Sequence, residues 1–202
     1  AKGDSDIIGL RKEKKYLEIM AKMRLDSDYL YILQQAEGYN RTETKPICYN
    51  ESVTDTLPRF TYMNPNDSNL VQLRKHFNLD SIAGSGDEIS KIKNLLYWVH
   101  NIVPHDGNSR NPEERNTIAM VELCKKENRG VNCRMMAQML NECYLAMGFK
   151  SRFITCMPKV MINDCHVINA VYSNPLDKWL WMDPTFNAYV TDEKGNLLGI
   201  GE

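Results

Sequence analysis

Neither charge is in surplus in this chain: Lys and Arg total 25 against 26 for Asp and Glu, a net charge of -1. Without excess positive charge there is no field for unaided binding to a phosphate backbone, so nucleic acid is not an expected partner. A long hydrophobic run is also missing. The most apolar stretch, Leu95 to Pro104, contains His100 and Asn101. It is far below the ~20 residues of a membrane helix, so no membrane span is expected. C-x-x-C is absent. The six cysteines, Cys48, Cys124, Cys133, Cys143, Cys156 and Cys165, lie far apart, which disfavours zinc ribbons and thioredoxin-like redox motifs. EF-hand loops, H-E-x-x-H and G-x-x-x-x-G-K-[ST] are absent too, so no metal or nucleotide cofactor is expected. The chain begins at Ala1 without a basic segment leading into an apolar one. That pattern fits an exported chain whose signal has been removed, or a cytoplasmic one.

What is present is an ordinary globular composition, 43% hydrophobic and 25% charged over 202 residues. This is enough to bury a core in one domain with a small appendage. Residues 1–80 read as an accessory region. Helical patterns run over Leu10 to Met23 and from Ser27 to Gly38. A Pro-, Asn- and Thr-rich extended stretch follows, then a short helix capped by Asp67 or Ser68 that buries Leu70, Leu73 and Phe77. Residues 84–202 read as the functional core. Ser85-Gly86-Asp87-Glu88 has the capping-box pattern, and Ile89, Ile92, Leu96, Val99 and Val103 form one apolar stripe. Further helices are expected over Ile118 to Lys126 and from Cys133 to Met147, the second closed by Gly148. From Phe149 the hydrophobic period becomes two. Strands are expected over Phe149 to Met157, Asp164 to Tyr172, Trp179 to Asp183 and Phe186 to Val190. Helices followed by adjacent strands predict an α+β fold with an antiparallel sheet.

Most of the cysteines fall at apolar helix or strand positions and read as buried thiols. Cys133 differs. Asn132 is a good N-cap, which puts Cys133 in the first turn of its helix. There the helix dipole favours a thiolate, and unpaired backbone N–H groups face a developing oxyanion. Gly130-Val131-Asn132 leave room for a substrate. A cysteine nucleophile needs a base, and His166 sits in an apolar strand that would fix its ring. Asp183 ends the next strand and is placed to orient that base, in the chain order Cys, His, Asp. Asn187 is an alternative orienter if the strand order differs. Cys165 and Asn169 fall on the strand face opposite His166, whereas Asp164 shares its parity. His100 and His105 have poor one-face spacing for a metal and read as surface or turn residues. Each member alone also has a plain packing or turn role. The joint order and element types are what single them out.

These segments resemble the transglutaminase-like superfamily of papain-fold cysteine enzymes. The resemblance lies in Val131-Asn132-Cys133-Arg134-Met135-Met136-Ala137, in Leu145 to Phe153, in Cys165-His166-Val167 running to Tyr172, and in Lys178-Trp179-Leu180-Trp181-Met182-Asp183-Pro184-Thr185. It spans roughly residues 87–190 and departs from the common pattern at Val131-Asn132 and at Ile168. It implies a papain-like core with the Cys133 helix on an antiparallel sheet, behind an N-terminal helical extension. It also implies Cys133 as nucleophile, His166 as base and Asp183 as orienter. The Cys133 backbone N–H would hold the oxyanion. A tryptophan upstream of the cysteine can be the second donor in this wider family, a place Trp98 could fill, although its helix stripe points to packing.

The chemistry so implied is attack on an amide or ester carbonyl through a thioester, with no cofactor and a peptide or protein as substrate. Water as acceptor makes the protein a cysteine peptidase or amidase. An amine makes it a protein-glutamine acyltransferase. Two other classes stay open: a non-catalytic peptide-binding module that keeps the fold, and a disulfide-stapled binder with few free thiols.

Overall fold

The computed structural model describes residues 60–158 and 165–202, together with Lys14 and Glu18. The chain divides into two compact units, Ala1–Asp55 and Thr56–Glu202. In the first, Lys14 and Glu18 are helical and exposed, and their charged groups lie 3.9 Å apart across one turn. Such a solvated pair contributes a few tenths of a kcal/mol at most. The helices expected over residues 10–38 otherwise lie outside the described residues.

The second unit is α+β. Five helices come first: α1 (Ser68–Phe77), α2 (Leu79–Ala83), α3 (Glu88–Ile102), α4 (Thr117–Glu127) and α5 (Cys133–Ala146). Strands β1 (Ser151–Cys156), β2 (His166–Ser173), β3 (Lys178–Asp183) and β4 (Ala188–Tyr189) follow. The sheet is antiparallel throughout in the order β1-β2-β3-β4.

Local chemistry sets most of these boundaries. Asp67 caps α1 by accepting the Asn69 N–H at 2.9 Å. At α3 the cap is Asp87, which accepts the Ser90 N–H at 2.7 Å. The expected capping box from Ser85 to Glu88 therefore does not form. Glu88 instead receives the backbone and side-chain N–H of Asn174 at 2.9 and 3.0 Å, tying the start of α3 to the end of β2. After α5, Gly148 takes a positive φ of +83 and turns the chain into β1. The last expected strand shrinks to Ala188–Tyr189, because Thr185 to Asn187 form a turn in which Asn187 adopts φ +48.

One core joins these elements. It combines Ile92, Leu95, Leu96 and Val99 of α3 with Met136, Met139, Leu140, Cys143 and Tyr144 of α5, and with Val171, Leu180 and Met182 of the sheet. Leu70, Leu73, Leu79 and Ala83 belong to the same core. Together they place α1 and α2 in one core with the later helices. Their apolar faces are buried against the later helices, and the compact unit starts at Thr56. On the other side of the sheet the Arg152 guanidinium lies 4.6 Å from the Trp179 ring and 5.0 Å from Phe60. Trp179 also meets Tyr62 and Tyr172. Trp179 therefore serves strand packing through ring and cation–π contacts.

Candidate active site

Asn132 caps α5 as its sequence predicts, with its side-chain oxygen accepting the Met135 N–H at 3.2 Å and its carbonyl the Met136 N–H at 3.0 Å. Cys133 is then the first helical residue and is half-buried. Its own N–H belongs to the first turn, which has no intrahelical acceptor.

The segment before Cys133 is clamped in place. The Val131 N–H donates to the Pro104 carbonyl at 3.0 Å, and the Asp106 N–H to the Val131 carbonyl at 2.9 Å. The Asn132 amide donates to Asn111 at 2.8 Å. Arg129 donates to Ser109 at 2.5 Å, and the Ser109 hydroxyl to the Gly130 carbonyl at 2.7 Å. A Cβ on Gly130 would stand 2.5 Å from the Pro104 oxygen and 2.9 Å from the Asp106 Cβ. Gly130 is thus small for close packing, not to admit a substrate. Gly130→Ala is expected to cost about 1–3 kcal/mol through overpacking. Chemical denaturation checks this, and a change under 0.5 kcal/mol (about the size of an ordinary surface effect) would refute it.

The direction of α5 follows from its connections. Its C-terminal end feeds β1 at Ser151, which pairs with Val171 near the end of β2. Midway, the Asn169 amide of β2 donates to the Ala137 carbonyl at 2.8 Å. The start of α5 therefore points toward the His166 end of the sheet. Asn169, expected on the face away from His166, is buried against α5.

At that end, His166 Nε2 lies 2.7 Å from Asp183 Oδ2. Asp183 is 1% exposed and His166 34%. The second Asp183 oxygen accepts the Thr185 N–H at 2.8 Å, an Asx turn that sets the carboxylate rotamer. A carboxylate can only accept, so Nε2 carries the proton and Nδ1 is the basic nitrogen. Phe186, 65% exposed, places its ring 5.5 Å from the imidazole. Asn187 sits in the turn beyond, and Asp183 is the residue shown bonded to His166. Asp164 lies outside the described residues. Trp98 packs against Phe77 at 5.0 Å as part of the core edge.

Two residues here escaped the sequence reading. His100, expected at the surface, is half-buried and places Nδ1 3.0 Å from the Pro184 carbonyl. Phe186, expected to open the last strand, lies in the turn before it. Only the three-dimensional return of β3 beside β2 brings its ring to His166.

The other described thiols vary in burial, and Cys48 lies outside the described residues. Cys124 and Cys143 are buried, Cys156 is half-buried and Cys165 is exposed, and all are free. Burial pushes the Cys143 thiol far above its ordinary range and raises Cys124 as well. Cys156 is raised by burial first, then by the nearby Asp183 and Cys165. Among the described residues, no three His, Cys, Asp or Glu side chains are placed to hold a metal ion, and no helix is long and apolar enough to cross a membrane.

The sequence profile of the transglutaminase-like superfamily matches residues 75–184, more than half of the chain. The chain belongs to this superfamily. No curated protein matches it significantly. Among solved structures, a protein from Cytophaga hutchinsonii described as a "Putative Cysteine Protease" is similar over 57% of this chain and 37% of its own, at 18% identity and a TM-score of 0.45. The chain thus spans well under half of that protein's length. The matched superfamily segment contains Cys133, His166 and Asp183, and ends one residue past the aspartate.

Proposed function

We propose that the chain is a transglutaminase-like cysteine enzyme acting on amide or peptide bonds through a thioester acyl-enzyme. One observation carries this reading. A buried carboxylate holds an imidazole at 2.7 Å, at the end of the sheet toward which a capped helix presents its first residue, Cys133. The Cys133 thiol would lose its proton to His166 Nδ1, and the thiolate would attack the carbonyl carbon. The Cys133 backbone N–H would help hold the oxyanion. When the C–N bond breaks, the leaving amine would take the proton from His166, with Asp183 stabilising the imidazolium meanwhile. Water would then hydrolyse the thioester, or an amine would accept the acyl group. Trp98, whose ring packs against Phe77, is the candidate second oxyanion donor.

The test is iodoacetamide labelling at a pH of about 6 with peptide mapping, since only thiolates react. Burial keeps Cys124, Cys143 and Cys156 protonated, which leaves exposed Cys165 as the comparison thiol among the described residues. Cys133 is expected to label at least about tenfold faster than Cys165, and to lose that advantage in His166→Ala. Equal labelling of the two in the wild type would favour a non-catalytic binding module instead.

A further inference from the structure

The proposed nucleophile belongs to the helical layer, whereas the proposed base and orienter belong to the sheet. Their mutual geometry depends on whatever locks the layers together at that end. Among the described residues, hydrogen bonds cross between the layers at three levels. Glu88 of α3 holds Asn174 just past the far end of β2. Asn169 holds Ala137 in the middle. At the end that carries His166 and Asp183, the tie is His100 of α3 to the Pro184 carbonyl, 3.0 Å long and spanning 84 residues of sequence.

We infer that His100 is a positioning residue for the Asp183–His166 pair, holding the turn that aims the carboxylate in register with the helix layer that carries Cys133. This rests on the proposed enzyme reading for its purpose but not for its geometry. A carbonyl only accepts, so the His100 Nδ1 must carry the proton and donate. Pro184 immediately follows Asp183, and its ring fixes φ and stiffens the turn. The carbonyl that His100 grips is therefore close to the carboxylate in the chain and rigidly linked to it. Thr185, on the other side of that carbonyl, sends its N–H back to Asp183 Oδ1 at 2.8 Å. Fixing the carbonyl fixes this Asx turn, and with it the direction in which Oδ2 meets His166. The donor end is equally firm. His100 follows Val99, which is fully buried, and α3 is bound to α5 by the Tyr144 hydroxyl donating to the Ile92 carbonyl at 3.0 Å. One continuous path thus runs from the Cys133 helix through α3 and His100 to Asp183.

The charged and titratable neighbours of the pair matter for the test. Among the described residues they include Asp183 on His166, and Cys156 and Cys165 on the adjoining strand ends. The path from His100 to His166 runs through the Pro184 turn and Asp183. Losing the tether should therefore weaken the carboxylate's hold on the imidazolium.

The experiment follows the His166 ring proton by NMR from acid to neutral pH, in a Cys133→Ala background that removes the thiol from the titration. His100→Leu is expected to move the pH at which His166 takes up its proton down by about half a unit to one unit. His100→Asn keeps an N–H donor at nearly the position of Nδ1 and should restore most of that shift. His100→Gln places its donor further out and should restore less. If His100→Leu fails to fold, the Asn–Gln order still decides. Identical His166 titration in all folded variants would overturn the tether. The enzyme reading fails separately, through equal labelling of Cys133 and Cys165 in the otherwise native chain. With both sound, His100→Leu should also slow iodoacetamide capture of Cys133 near pH 6 about threefold to tenfold, with recovery in His100→Asn.

Discussion

Cys133→Ala is expected to remove all acyl-enzyme formation and to lower turnover of an activated acyl ester by at least about 10³-fold. The reason is that the thiolate has no substitute at its position. Cys143 and Cys124 are buried, and desolvation keeps their thiols protonated. Cys165 is exposed and lies just before β2, not at a helix N-terminus. p-Nitrophenyl acetate makes the measurement direct: one equivalent of nitrophenolate should be released in a burst by the wild type and none by the variant. Removing Cys133 from half-buried surroundings should leave the thermal midpoint close to that of the wild type, which separates lost chemistry from lost fold. A burst that survives in Cys133→Ala would sink the proposed nucleophile. Asp183→Asn, which keeps the shape but can no longer hold the Nε2–H tautomer as acceptor and counter-charge, should slow the burst by about 10²- to 10⁴-fold.

The largest stability effect is expected at Tyr144. Its side chain is fully buried, meets the Phe149 ring edge-on at 6.1 Å, and donates its hydroxyl to the Ile92 carbonyl at 3.0 Å. Tyr144→Ala should therefore destabilise the folded unit by about 3–5 kcal/mol, since it opens a cavity between α3 and α5 that helices anchored at both ends cannot close. Tyr144→Phe keeps the ring and should cost only about 1 kcal/mol for the lost hydrogen bond. Urea denaturation of both variants checks the pair. A Tyr144→Ala loss no larger than that of Tyr144→Phe would mean the α3–α5 contact carries little of the stability.

Much of this architecture was legible in the sequence because it depends on neighbours along the chain. The apolar stripe of α3, the Asn132 cap, the Gly148 turn and the change to a two-residue period after Phe149 are local signals, and each appears in the fold within a few residues. The capping box at Ser85 is a local signal that failed. Asp87 caps the helix instead, and Glu88 binds Asn174, 86 residues distant in the chain. The composition of residues 39–66 looks like a linker, yet the helices just after it bury Leu70, Leu73 and Leu79 in the common core.

The candidate site divides along the same line. Its three residue types, their order and their element ends follow from short-range chemistry: a cap before a cysteine, a histidine opening an apolar strand, an aspartate before proline. By itself, then, the sequence determined an α+β chain whose residues Cys133, His166 and Asp183 stand at element ends suited to that chemistry. Only the tertiary structure decided that Asp183 and not Asn187 reaches His166, that Gly130 is small to meet Pro104, that Trp98 belongs to the core edge, and that His100 grips the turn beside the carboxylate. The physical reason is that these are contacts between segments tens of residues apart. Their geometry is set by strand register and by how two helices and a sheet close around one core, and neither quantity is written in any local stretch of the chain.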